Sequence, residues 1–484
     1  MQDARAMMNR WLVAAFAMAL AACGGGGGGG GSNGGSGGGT GGIDRGGIIT
    51  ATGTITGFGS VHVNGVRYVT TGATFTIDDN PGAESDLRVG QVVRIEGWIE
   101  QDGITGTATR FIFDDEVEGP VQSIELAASR FVVLGRTVTV GAQTSFDDSI
   151  VPRSLEGLVV GERVEVSGRV ATTGIVEATR VERKPAQGAV EVKGTVASLD
   201  TTARTFGLGL LSVNYATAQL SGFASGQPVN GDRVEVFGTL SGTGVLVATR
   251  VEKDDGGAAG NADEQADYEG LITNFASATD FAVAGQRVTT TASTTYEGGT
   301  AASLAADVAV EVEGRFNAAG VIVATKVQFR RDSDTEFSGR VDSINAAGNS
   351  FVVFGVTIRV NALTRFEDHS DADLQRFSLA NLAVGDFVEV NVYNDGSGLL
   401  ATKVERDDAQ GEVELEGVAQ NVATPSFTIG GVAVTTDGAT EFRDDNSGTI
   451  SSAAFFTAAP GRTVEVRGTL VGNTVLASRA ELED

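Results

Sequence analysis

Four pairs of neighbouring acids recur along the chain: Asp78-Asp79, Asp147-Asp148, Glu367-Asp368 and Asp444-Asp445, with Asn80 and Asn446 directly after two of them. Carboxylate and amide oxygens grouped in this way are hard ligands of the kind that hold calcium. None of the pairs has the D-x-D-x-D-G spacing that wraps one ion, and Asx turns with solvation account for them equally well. Asp78, Asp79, Asp147, Asp148, Asp444 and Asp445 are therefore weak calcium candidates, and no other metal or cofactor is expected.

A second recurring set is cationic: Arg110, Arg180, Arg250, Lys326, Lys403 and Arg479. These residues could line an anion-binding face. Period-two alternation instead sets them across from acids on the preceding strand. That reading predicts the cross-strand pairs Glu165–Arg180, Glu235–Arg250, Glu311–Lys326, Glu389–Lys403 and Glu465–Arg479, each contributing about 0.2–1 kcal/mol. The first unit departs, with Arg94 where the acid should be. Trp98 follows Gly97 and could stack on a sugar ring from a barrel rim, which makes it the one ligand-contact candidate.

Catalytic patterns are not found. The two histidines, His62 and His369, lie in different segments, and neither a G-x-S-x-G elbow nor a G-K-[ST] phosphate loop occurs. His62 alternates with Val61 and Val63 and is expected to face solvent. The acids are spread over the whole chain, so an enzyme is not expected. A formal charge of −27 repels phosphates, which excludes nucleic acid as a partner and disfavours adhesion to anionic lipid heads.

The elements that carry these residues repeat six times. One strand ends in glycine in five copies: Val93–Gly97, Val164–Gly168, Val234–Gly238, Val310–Gly314 and Val464–Gly468; the copy at Val388–Val392 lacks it. A turn follows, marked by Asp102-Gly103, Thr243-Gly244, Asp395-Gly396 or Gly472-Asn473, and then a strand reading A-[TS]-[RK]. Upstream lies another hairpin with an apolar residue four before a glycine, as in Phe131 to Gly135 and Phe351 to Gly355. A short strand opens each unit at Gly53, Gly119, Gly194, Gly270, Gly339 or Gly417, spaced 66 to 78 residues apart.

Five short strands per unit, with no stretch periodic enough for a long helix, predict an all-β chain. The expected architecture is a tandem array of six small five-stranded antiparallel barrels of the OB type. A closed β-propeller-like array is the alternative, disfavoured by uneven acidic spacers such as Lys253–Glu269 and by a last unit that completes its own final strand. Independent barrels along a string are the favoured arrangement. The pattern G-x-V, F-x-V-x-G, V-G-x-x-V-E-V-x-G and A-T-[RK]-V-E resembles a bacterial domain of unknown function that recurs as tandem small β-barrels in lipoproteins and secreted proteins. That resemblance covers nearly everything after residue 50 and implies the fold; it carries no catalytic or binding residues.

The single cysteine stands apart from the repeats. Arg5 and Arg10 precede the apolar run Trp11–Leu20, which is too short for a permanent membrane span, and Leu20-Ala21-Ala22-Cys23 resembles the signal-recognition box of bacterial lipoproteins. The resemblance implies cleavage before Cys23, covalent lipid on its sulfur, and, with Gly24 rather than Asp next, release to the outer membrane. With no second cysteine, disulfides and thiolate metal sites are excluded. The glycine-rich run beyond buries nothing and reads as a disordered tether with a reach of roughly 25–30 Å.

The expected boundaries are thus 1–22 signal peptide, 23–50 lipidated cysteine and tether, then repeats at 51–116, 117–186, 187–255, 256–332 (with an acidic linker), 333–409 and 410–484. The expected function is a non-enzymatic, lipid-anchored spacer or interaction scaffold at the cell envelope, its partner the membrane through the lipid. The alternative is a multivalent binder of neutral or cationic glycans or of an envelope protein.

Overall fold

The computed structural model describes residues 46–254, 256, 260–409 and 411–483. Residues 1–45, which include the expected signal peptide and the residues Leu20, Ala21, Ala22 and Cys23, lie outside the described residues. The first strand begins at Gly47 and Ile49 is fully buried, so residues 47–50, read as tether, belong to the first barrel. The spacer Lys253–Glu269 likewise ends inside a strand, Gln265–Ser277, because Ala266 and Tyr268 reach a core.

Each repeat is a small barrel. In repeat two the strands are Val117–Glu125, Arg130–Val133, Arg136–Thr139, Arg163–Val170 and Val176–Arg183. The first pairs with the second, the second with the third, the fifth with the fourth, and the fourth with the first, all antiparallel. The third and fifth run parallel and close the circle, so the barrel is not wholly antiparallel as expected. This circuit of five strands is the OB arrangement, and repeats one, three, four and five reproduce it. In repeat six the opening strand is broken into Val413–Val418 and Gln420–Ala423, and the chain's one α-helix among the described residues, Ser452–Ala458, covers the barrel through Phe455.

The A-[TS]-[RK] motif marks a β-bulge. Ser167 faces Arg180 and Gly168 faces Ala178, so Thr179 is the extra residue, and the other five repeats do the same at Thr109, Thr249, Thr325, Thr402 and Ser478. In those five the hydroxyl donates to the carbonyl opposite, for example Thr249 Oγ1 to Phe237 O at 3.1 Å and Ser478 Oγ to Arg467 O at 3.0 Å. The facing glycine exists because the bulged strand comes close: a Cβ on Gly238 would sit 2.2 Å from Val247 O.

The barrels do not hang independently. The opening strands of repeats two and three pair antiparallel, Val117 opposite Val192; those of five and six pair from Thr335 opposite Gly417; and those of one and four pair parallel, Ile49 to Thr52 beside Gln265 to Tyr268. Repeats two and three share one hydrophobic core, as do five and six, while one and four keep separate cores. A barrel of this size exposes too much of its apolar surface when alone, and edge pairing with a neighbour removes part of it from water. The blades of a propeller are not formed, since strands close into barrels within each sheet.

Candidate functional site

The densest grouping of chemistry-bearing side chains is buried where repeats two and five meet. The short strand Arg365–Asp368, parallel to the fifth strand of its barrel, delivers Glu367, and His369 follows directly. Arg180 comes from the bulge of repeat two, and Lys403 and Glu405 from the final strand of repeat five, Leu399–Asp407. Arg180 Nη1 lies 3.4 Å from Glu367 Oε2, Lys403 Nζ lies 2.8 Å from Glu405 Oε2, and His369 Nε2 lies 3.3 Å from Glu405 Oε1. Ser145 Oγ also donates to Glu367.

Burial works against a charged His369 ring, but hydrogen bonds to Asp148 and Glu405 and the charges of Glu405 and Glu367 outweigh it, and its pKa rises to about 10. The histidinium thus joins Arg180 and Lys403 as a cation, and Glu367 and Glu405 already receive these donors. The group is an ion-pair lattice that fixes one barrel against another.

The expected cross-strand pairs are largely replaced. The hairpin turn and the Thr or Ser bulge together set a register two residues away from the expected one: Glu165 faces Glu182, Arg180 faces Ser167, Glu311 faces Gln328, Lys326 faces Glu313, Glu389 faces Glu405, and Lys403 faces Asn391. Glu165 pairs instead with Lys184 at 2.5 Å, Glu235 with Lys193 at 3.2 Å, Glu311 with Arg330, and Lys326 with Glu313. Arg250 stacks on Phe237, 3.7 Å from the ring centre, and reaches Asp79 of repeat one at 2.7 Å. Only Arg479 meets its expected acid, 2.5 Å diagonally from Glu465.

Most of the acidic candidates have local partners. Asp147 accepts from the Ser149 amide at 2.9 Å, Asp444 from the Gly448 amide at 2.8 Å, and Asp445 pairs with Arg462 at 3.1 Å. Asp148 holds His369, Asp79 holds Arg250, and one oxygen of Asp78 is buried without a hydrogen bond. His62, expected in solvent, is half-buried, and burial followed by the Arg67 charge lowers its pKa. Trp98 is 47% exposed opposite Ile48, one step from the terminal pair Gly47 and Ile99 of their two strands.

A cavity of about 1020 Å³ opens between repeats two, five and six. Its wall carries Glu336, Glu389, Glu405, Asp407 and Glu416 against the cations Arg153 and Lys403. Burial first, then the charges of Glu336 and Glu405, push Glu389 well above the usual carboxylate range. Inspection of one repeat cannot reveal this cavity, because its walls come from three.

A chain of six OB-like barrels with structural ion pairs at their junctions defines a tandem-repeat β protein. It belongs to the family described as Domain of unknown function (DUF5666), whose pattern matches residues 47–110, 118–182, 190–252, 269–328, 338–405 and 416–481. No curated protein matches the chain in sequence.

Proposed function

We propose that this chain is a non-enzymatic interaction scaffold of the cell envelope, exported and held at the outer membrane by lipid on Cys23. The observation that carries the reading is the joining of barrels in pairs through their opening strands, with charged side chains locking one pair to another. Such joints favour a preorganised body over a string of mobile spacers. The sequence around Cys23 supports the anchor. The test is metabolic labelling with a fatty-acid analogue in a bacterial host, comparing wild type with Cys23→Ala after membrane fractionation. Joint loss of label and membrane association in the variant is expected; unchanged fractionation without label in either protein would remove the anchor from the reading.

The acid-lined cavity favours a second reading, a binder of cationic groups such as those of an amino-sugar glycan. Titration of the protein with chitosan oligomers tests it, with Glu336→Gln expected to weaken saturable binding and an absence of binding by wild type ending it.

A further inference from the structure

Asp114-Asp115-Glu116 is the link between the last strand of repeat one, Thr105–Phe113, and the opening strand of repeat two, Val117–Glu125. Asp115 is 0% exposed, and neither of its carboxylate oxygens has a hydrogen-bond partner. It points into a space shared with Asp78, which ends the short strand Thr74–Ile77 at a positive φ of 45°, and with Glu165 in the fourth strand of repeat two. One oxygen from each of the three lies within 4.8 Å of the others. Beside them, Glu191 of repeat three also has a buried oxygen without a partner.

The local cations do not settle this charge. Lys184 Nζ sits 2.5 Å from Glu165 Oε2, and Lys193 is committed to Glu235 at 3.2 Å. Neither forms an ion pair with Asp115. A buried carboxylate without a partner is resolved by a proton or by a bound cation. A proton on Asp115 could be shared with one neighbouring carboxylate at most and would leave its other oxygen bare, whereas a metal ion satisfies several oxygens together.

We propose that Asp78, Asp115 and Glu165 form a calcium site that fastens repeat one to repeat two. The donor set is all carboxylate, which suits a hard cation over zinc or copper. Calcium–oxygen bonds of about 2.3–2.6 Å place oxygens around one ion up to about 5 Å apart, matching the cluster. Three carboxylates leave positions for water in a shell of about 6–8 oxygens. The position matters for assembly: repeats one and two are adjacent in sequence yet belong to different barrel pairs, so an ion here couples the pair of one and four to the pair of two and three. The site holds whether or not Cys23 carries lipid.

The test uses the full chain, stripped with EGTA, dialysed, and titrated with calcium chloride by calorimetry alongside thermal melts. Wild type is expected to bind one ion saturably at this site and to melt higher with calcium than with EGTA. Asp115→Asn is expected to lose the calcium-dependent shift and weaken binding by about tenfold or more. Asp78→Asn, at a partly buried turn outside the strands, should weaken binding similarly, and Asp79→Asn should not. Absence of saturable binding by wild type, or equal binding by wild type, Asp115→Asn and Asp78→Asn, would overturn the site.

Discussion

His369 Nδ1 of repeat five lies 2.5 Å from Asp148 Oδ1 of repeat two, so a charged hydrogen bond crosses a barrel junction more than two hundred residues apart in sequence. The folded pKa of this histidine, about 10, is above its unfolded value near 6.5. A group raised on folding contributes stability in full below the unfolded value and loses it as pH climbs through the folded one. The melting temperature is therefore expected to fall between pH 7 and pH 10 by more in wild type than in His369→Gln. At pH 6 that variant should be less stable by about 2–4 kcal/mol, since removing one partner strands buried acids. Parallel pH profiles for the two proteins would sink this account.

The glycine opposite each bulge gives a second prediction. A Cβ on Gly238 or Gly314 would approach a carbonyl oxygen to 2.2 or 2.3 Å, a contact relieved only by moving backbone. Gly238→Ala and Gly314→Ala are expected to destabilise by about 1–3 kcal/mol in chemical unfolding. Repeat five already places a fully buried valine there, Val392, so Val392→Gly should destabilise too, by leaving a cavity. Gains in stability from either alanine would show that the close approach is not what selects glycine.

Much of the barrel was legible because alternation and turn glycines are local signals: Val164, Val166 and Val181 face the core as alternation requires. Register was less legible. A single bulge residue such as Thr179 resets every pairing beyond it, and alternation is blind to that shift. The candidate sites were least legible, since His369 meets Asp148, and Asp115 meets Asp78 and Glu165, only after distant repeats or successive barrels pack together. The acidic pairs did carry a signal, because Asp78 and Asp148 both stand at such junctions.

Shared cores imply shared melting. Val117 and Val192 pair across the joint of repeats two and three, and both belong to one buried cluster. The segment 117–255 is expected to unfold in one cooperative transition. The segment 117–186 alone exposes that edge and should melt lower by about 10 °C or more. Differential scanning calorimetry of both segments decides it, with equal midpoints restoring the picture of independent barrels.

In the acid-lined cavity stability falls with rising pH as it does for His369, but substitution has the opposite effect. Burial first, and then the nearby Glu416 and Glu405 charges, raise Glu336 to about 7 despite the opposing Lys403 charge and a 2.8 Å hydrogen bond donated by Asn391 Nδ2. A carboxylate whose folded pKa is raised binds its proton more tightly when folded. Stability then declines as pH rises from the unfolded value near 4.5 towards 7, and the ionised form is a burden above that. Glu336→Gln removes the burden while keeping the shape. It is expected to raise stability at pH 8 by about 1–2 kcal/mol, discounted for partial solvent contact, and to change little at pH 4.5. A cationic ligand that fills the cavity should relieve the same repulsion, so it should stabilise wild type at pH 8 more than Glu336→Gln. Equal stabilisation of both proteins would place the ligand elsewhere.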